Sequence, residues 1–332
     1  MQRLARESVR VLDREDVSRL LDPDALVESL SAALVSLSKG EASMPDRNQV
    51  SNERGNVYLM GASTRDSAWM TAKLVSQFSA NKHVPTHHAV VVVFDAETGQ
   101  VAAVMDGESI TAARTAAISR LATRVLARPA ARTLAILGTG VQGKAHVRAL
   151  VRDRSFDDIR LMDSNVEHAA EAAASLASEL GITARCARTA AEALDGADIV
   201  CVATGSHSPV VKRNLLAAGT HVNSVGYNQN GREIDAATVR DALVVVECAS
   251  IALNDGAAGS NDLRWPIRDG IVPPDHMHIE LGALLSGEKV GRSSDDQITL
   301  FKSIGIAISD HAAATLVIER AQREHVGRTI TL

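Results

Sequence analysis

Residues 133–143 read T-L-A-I-L-G-T-G-V-Q-G: an apolar run of β character enters three glycines spaced G-x-G-x-x-G, and helical periodicity follows to about Arg152. A strand, a glycine turn and a helix in that order are what phosphate binding requires. Gly138 permits the tight turn, Gly140 lets backbone approach a pyrophosphate, and Gly143 lets the helix lie close to the strand. The amides that open the helix then face the anion. Twenty residues after Gly143, Asp163 ends the next strand candidate, I-R-L-M (159–162). A carboxylate there accepts from the hydroxyls of an adenosine ribose and repels a 2′-phosphate, and its neighbours Ser164 and Asn165 supply no arginine to receive one. The pattern predicts a dinucleotide site with NAD(H) preferred over NADP(H).

Downstream, a helix of Ala, Glu and Leu runs to about Leu180, and strand candidates follow at 198–203, 220–225 and 243–247 with helical segments between. Strands alternating with helices predict a mostly parallel sheet covered on both faces. The last helix, about Gly305 to Glu324, is apolar on one side and is expected to return to the first domain. Upstream the pattern differs. Asp22-Pro23 reads as an N-cap with proline at the first helical position, and Leu26, Leu30, Ala33 and Leu37 recur at helical spacing up to Gly40. Residues 41–68 are polar and turn-rich, with a short strand candidate at Val57 to Met60. The run A-V-V-V-V-F-D (89–95) is a strand that turns at Thr98-Gly99 into a second one, Val101 to Met105, and an Ala-rich helix spans about Thr111 to Ala127. The expected fold is α/β: a Rossmann-type doubly wound parallel sheet over 128–305, plus a smaller α+β domain from 1–127 and 306–332.

The 332 residues suffice for two such domains, and 45% hydrophobic with 23% charged residues is a globular balance. A net charge of −5 without a basic cluster argues against nucleic acid as partner. Cys186, Cys201 and Cys248 fit no zinc spacing and cannot pair off as a disulfide framework, so no metal is expected. A run of about 18 apolar residues, the length of a membrane span, is absent. The stretch Met1 to Arg10 carries Arg and Glu without the apolar core of a secretory leader. A cytoplasmic, reducing location is the expectation.

Residues 72–120 hold the most specific signal: A-K-L-V-S-Q-F-S-A-N, then V-V-V-F-D-A-E-T-G-Q-V-A-A-V-M-D-G, then S-I-T-A-A-R-T-A-A. With G-T-G-V-Q-G, V-N-S-V-G-Y-N-Q-N-G-R-E-I-D (222–235) and F-K-S-I-G-I-A-I-S-D (301–310), the chain resembles the ornithine cyclodeaminase/μ-crystallin family over nearly its whole length. That family contains cyclodeaminases, alanine dehydrogenases and ketimine reductases, all using a nicotinamide cofactor. The resemblance implies a homodimer whose first domain carries the substrate groups and the dimer interface, with the active site in the cleft between the domains. It also implies roles. Lys73 matches the active-site lysine. Arg47, in M-P-D-R, and Arg114, in A-A-R-T-A-A, match the cations that take the substrate carboxylate. Thr86 matches a position near the nicotinamide. Gly138, Gly140, Val141, Gln142 and Gly143 match the pyrophosphate turn, and Asp163 the ribose acceptor. Thr204, Ser224, Val225, Gly226, Arg232 and Ser303 match further cofactor contacts, with Arg114 also within reach of the cofactor. Tyr58, Asn228 and Ile304 fall at substrate positions.

The residue types agree with these roles. An arginine fork holds a carboxylate through two parallel charge-assisted bonds. Two cations beside Lys73 lower its proton affinity toward neutrality, where it exchanges a proton with a substrate nitrogen. The sequence also departs from the cyclodeaminase branch. Asn228 stands where that branch has an aspartate, and Tyr58 lies near where it has a glutamate; a neutral amide does not serve as a base at ordinary pH. The ketimine reductase branch lacks the aspartate too. The only tyrosines, Tyr58 and Tyr227, map near the substrate, as do His87 and His88, which alternate faces if they lie on a strand. The expected function is NADH-dependent reduction of a small α-imino acid, or interconversion of an amino acid with its oxo acid. An ornithine or lysine cyclodeaminase and a non-catalytic crystallin-like binder of NAD(P)H are the rivals.

Overall fold

The computed structural model describes residues 8–255 and 259–331; residues 1–7 of the stretch considered above as a leader lie outside them. The chain begins with β1 (Ser8–Leu12), α1 (Arg14–Leu20), α2 (Pro23–Ser38), β2 (Ala42–Ser43), β3 (Asn48–Ser51), β4 (Asn56–Thr64), β5 (Trp69–Gln77), β6 (His87–Asp95) and β7 (Val101–Asp106). There follow α3 (Gly107–Leu126), β8 (Thr133–Leu137), α4 (Val141–Leu150), β9 (Asp158–Met162), α5 (Val166–Leu180), β10 (Ala184–Cys186), α6 (Ala190–Leu194), β11 (Ile199–Val202) and β12 (His221–Ser224). The remainder is α7 (Ala236–Asp241), β13 (Leu243–Val246), α8 (Ala249–Ala252), α9 (Asn261–Arg268), β14 (Ile279–Glu280), α10 (Leu281–Leu285), β15 (Thr299–Lys302), α11 (Ala307–Arg323) and β16 (Arg328–Thr331). Two compact units result: Met1–Arg114 with Ile306–Leu332, and Thr115–Gly305.

The first unit is one sheet in the order β16-β1-β7-β6-β5-β4-β2, with β3 also on β4. Only the β1–β7 pair is parallel. The β6–β7 hairpin forms where the sequence indicates: Asp95 accepts from the backbone of Glu97 and Thr98 and from the Thr98 hydroxyl, and Gly99 takes a positive φ of 73°. The A-K-L-V-S-Q motif is strand β5, paired on both sides, with Met60 opposite Lys73 and Lys73 opposite Val91. Period-two alternation turns Tyr58, Met60, Thr71, Lys73, Val91 and Val93 to the buried face. There α11 lies on β4, β5 and β6 and packs against α2. Its Ala312, Ala313 and Ala314 are small enough for close approach. The returning last helix is therefore observed.

Two expectations for this unit need correction. Residues 41–68 are not mainly turns: β4 runs nine residues, Asn56–Thr64, because alternate residues Tyr58, Met60 and Ala62 bury while Leu59 and Gly61 between them face the other way. Helix α3 starts at Gly107 rather than Thr111, since the Asp106 carboxylate accepts the Ser109 N–H at 2.8 Å and draws the preceding turn into the helix.

The second unit is an all-parallel sheet in the order β10-β9-β8-β11-β12-β15-β13-β14. Its strands are apolar on both sides. Ala135, Leu137, Val200 and Val202 enter one core layer, and Leu134, Ile136, Ile199 and Cys201 the other. The doubly wound reading thus holds. The strand order reverses direction between β8 and β11, which is the crevice where such sheets bind ligands, beyond the carboxyl ends of the strands. F-K-S-I-G begins at the end of the interior strand β15, which lies between β12 and β13. Among the described residues no helix is long and apolar enough to cross a membrane.

Candidate active site

In the first unit, three elements converge on one carboxylate. Lys73 projects from β5, Arg114 from α3 and Asp310 from α11, and all three are buried, at 2%, 5% and 1% exposure. Lys73 Nζ lies 2.9 Å from Asp310 Oδ1 and 2.5 Å from Thr111 Oγ1. Arg114 Nε donates to the same Oδ1 at 3.2 Å. Burial pushes Lys73 down from 10.5 to about 8; Asp310 opposes that shift, and the positive charges of Arg114 and Arg47 add to it. Burial also pushes Asp310 upward, but Lys73 and Arg114 hold it below the ordinary carboxylate range. The result is an ammonium ready to release a proton near neutral pH, beside a guanidinium that carries further donors besides Nε.

Arg47 precedes β3 and lies over the ring of Tyr58, 5.8 Å from its centroid. Tyr58 is itself buried, with its hydroxyl 3.4 Å from Gln77 Oε1. Alternation on β6 puts His87 on the Lys73 face and His88 on the other, where its Nδ1 lies 3.1 Å from Glu108. Burial and then the Lys73 charge push His87 below its ordinary range. Thr86, just before β6, lies within 3.2 Å of His87 Nδ1.

In the second unit the glycine turn sits at the strand-order reversal. Gly138 takes φ 93°, and a Cβ on it would stand 2.5 Å from the Ala203 carbonyl oxygen after β11. A Cβ on Gly143 would run into the Gly138 carbonyl, whereas one on Gly140 would meet only open space. Gly140 N-caps α4 without any side-chain bond to the amides behind it, and Val141 is exposed. Open, donor-rich backbone of this kind fits a pyrophosphate. Gln142 begins a buried brace: its carbonyl oxygen lies 2.7 Å from His146 Nδ1, and His146 Nε2 lies 2.9 Å from Ser119 Oγ. Burial pushes His146 to about 4, so the ring is neutral.

Asp163 ends β9 with four donors around it. The Thr139 amide and hydroxyl reach Oδ2 at 2.8 and 2.9 Å; the Ser164 hydroxyl and Asn165 amide reach Oδ1 at 3.3 and 3.2 Å. Burial pushes the carboxyl up, and these bonds more than reverse it, leaving a fixed anion. The donor set and charge suit a ribose diol, whose hydroxyls would take over from those of Thr139 or Ser164.

The loop after β12 rests on a buried cluster that the sequence reading did not single out. Glu233 accepts from the Thr204 amide and hydroxyl, the Ser224 hydroxyl and the Gly226 amide, at 2.5 to 2.9 Å. Burial pushes its carboxyl upward, yet four donors fill its acceptor sites and leave no place for a proton. Lys302 lies 2.9 Å from Asp262 and 3.8 Å from Glu233 and donates to the Gly226 carbonyl at 2.7 Å. The Thr204 and Ser224 side chains therefore point into the protein, while Val225, following β12, donates its N–H to the Val202 carbonyl. Ser303 Oγ and the Ile304 N–H similarly hold Glu247 at 3.0 and 2.8 Å. Asn228 is occupied at both ends, donating to the Gly205 carbonyl at 2.7 Å and accepting from the Asn230 amide at 2.9 Å. Tyr227 is exposed, and Arg232 lies over Trp265 at 5.7 Å.

Asp310, Glu233, Asp262 and Lys302 were the residues missed. Glu233, Lys302 and Asp310 stand inside quoted motifs and Asp262 in none; for Asp310 the available signal was a lone carboxylate in a helix that is mostly small and apolar, A-I-S-D-H-A-A-A.

A glycine turn with a fixed carboxylate after the next strand of a doubly wound sheet, in one chain with a buried lysine–arginine pair, defines the class: a dinucleotide-binding enzyme. The chain belongs to the ornithine cyclodeaminase/mu-crystallin family, whose model matches residues 7–325. It is 32% identical over 326 residues to a Delta(1)-pyrroline-2-carboxylate reductase of Bacillus cereus, covering 96% of this chain and 99% of that protein. Among solved structures it is similar to Thermococcus litoralis Delta(1)-pyrroline-2-carboxylate reductase in complex with NADH and L-proline. That match has a TM-score of 0.93 and 34% identity, covering 97% of this chain and 100% of the other. An archaeal alanine dehydrogenase dimer with bound NAD matches with a TM-score of 0.92 at 28% identity, covering 98% and 100%.

Proposed function

We propose that this protein is an NADH-dependent reductase of a small α-imino acid, with a cyclic ketimine carboxylate as the first substrate to try. The observation that carries the reading is the buried Lys73–Asp310–Arg114 cluster: two cations share a single carboxylate, which leaves positive charge for a substrate anion, and Arg47 is near enough for its charge to act on Lys73. The substrate carboxylate docks on Arg47 and Arg114, which fixes the imine carbon. The backbone at Gly138–Gly143 holds the pyrophosphate and Asp163 the adenosine ribose. The reduced dinucleotide, when bound, supplies the hydride that turns the imine carbon into an amine carbon. Lys73, protonated below about 8, gives its proton to the imine nitrogen, so the product is an amino acid and the lysine is reprotonated from solvent. In the opposite direction the hydride passes to the oxidised dinucleotide and the nitrogen's proton to Lys73, and water then hydrolyses the imine to the oxo acid with release of ammonia.

Asp163 supports NADH over NADPH, since its fixed charge repels a 2′-phosphate. A homodimer is supported by the outer face of the first sheet, opposite α11, which leaves Leu59, Met70, Leu74, Val90, Val92 and Phe94 exposed or half-exposed in one area. Three free cysteines fit a reducing, cytoplasmic setting. The cyclodeaminase alternative is weakened because Asn228 is neutral and its amide already bonds at both ends.

Purified protein given NADH and Δ1-pyrroline-2-carboxylate should oxidise NADH and form proline; pyruvate with ammonia tests the dehydrogenase direction. Ornithine converted with release of ammonia and no net change in NADH would favour the lyase instead. No NADH oxidation over a broad panel of imino acids would sink the proposal.

A further inference from the structure

Asp310 has no part in the hydride or carboxylate chemistry above, yet Lys73 and Arg114 are both arranged on it. A single oxygen takes both cations. Oδ1 receives Lys73 and Arg114, whereas the equally buried Oδ2 has no hydrogen-bond partner among the described residues. An acceptor left unbonded in the interior loses its hydration without replacement and is destabilising. Buried ion clusters are in any case poor stabilisers compared with apolar packing of the same volume. Stability alone therefore does not account for the arrangement.

We propose that Asp310 is a positioning residue for the reaction: it holds Lys73 and Arg114 side by side through one oxygen and supplies the countercharge that keeps Lys73 an ammonium ready to protonate substrate. This rests on the reading of Lys73 as proton donor. The groups facing Lys73 otherwise push the other way. Arg114 from α3 and Arg47 from before β3 are cations, and His87 on β6 senses Lys73 as a repelling charge. Tyr58 on β4 brings no charge. His311, the neighbour of Asp310 on α11, is held neutral by burial, which pushes it to about 4, and lies 3.3 Å from the Thr71 hydroxyl. Without Asp310, the low-dielectric interior and two guanidiniums would drive the proton off Lys73.

The unbonded Oδ2 makes the test clean. In Asp310→Asn the amide oxygen can keep both bonds of Oδ1 while the NH2 takes the spare position, so shape is retained and charge is lost. Lys73 is followed by NMR in lysine-labelled protein, its signal assigned by its loss in Lys73→Met. The Asn variant is expected to titrate Lys73 about one to three pH units lower, the usual effect of an adjacent opposite charge. The pH limb of kcat should move with it. Asp310→Glu keeps the charge on a longer arm. It should leave the titration within about half a unit of wild type while lowering kcat tenfold or more, about 1.4 kcal/mol. Lys73 titrating at the wild-type pH in the Asn variant overturns the proposal. So does a Glu variant that shifts the titration downward as far as about one unit, and this holds even if the Asn variant does not fold. Full turnover by Lys73→Met would instead overturn the reading of the reaction, and the NMR titration, which needs no turnover, separates the two failures.

Discussion

Lys73 is where a single atom is asked to do the most. Replacement by Met keeps the length of the side chain and removes the ammonium. Turnover is expected to fall by about 10²- to 10⁴-fold, the usual contribution of a positioned general acid. NADH binding, read by fluorescence, should be unchanged, because the glycine turn and Asp163 belong to the other unit. The pH dependence has a definite sign. Burial lowers Lys73 to about 8, and the ammonium is the form that gives a proton, so imine reduction is full below that pH and declines as pH rises through it. Amine oxidation, which needs the neutral lysine, rises over the same range. A rate of imine reduction that climbs with pH through this window would contradict the role. At this scale the sequence was informative where a motif singles out a residue, as for Lys73, Arg114 and Asp163. It was silent about Asp310, because a carboxylate in an Ala-rich helix reads as solvated until the helix is known to be buried on nearly every side.

The glycine turn is a property of an element, and its three glycines differ in kind. Gly143→Ala places a methyl against the Gly138 carbonyl, so it should force α4 away from β8, lower the melting temperature by several degrees and abolish NADH binding. Gly140 has φ −66° and open space where its Cβ would be. Gly140→Ala should therefore leave the melting temperature in place and weaken NADH alone, by tenfold or more, as the methyl enters the space the pyrophosphate needs. Calorimetric titration with NADH beside thermal unfolding distinguishes the two; equal effects on both measures would remove the assignment of Gly140 to the ligand. Strands β8, β11 and β13 of the second unit were readable because each is a nearly unbroken apolar run between turn signals. Strand β15 was not, since F-K-S-I-G carries a buried lysine at the end of an interior strand. That lysine is tolerated only because Asp262 and Glu233 meet it there.

At the scale of the molecule, the outer face of the first sheet is the feature a single chain leaves unexplained. If it is covered by a second copy, Leu59→Asp with Leu74→Asp, two neighbours across the β4–β5 ladder, should yield monomer by light scattering on a sizing column. NADH affinity should be retained, since these residues lie outside the second unit. A variant that stays dimeric would show that the copies meet elsewhere.

Order along the chain was enough to establish a glycine turn between strand and helix, a carboxylate one strand later, and a family likeness that pointed to the lysine and the arginines. These are local patterns, carried by residues close together in sequence. The partners of those groups were decided only by folding. Asp310 stands 237 residues from Lys73 and 196 from Arg114, and Glu233 gathers donors from two separate segments, at Thr204 after β11 and at Ser224 to Gly226 from the end of β12. Which charges share a buried volume depends on how strands pair and where the last helix comes to rest, and a linear sequence does not display that.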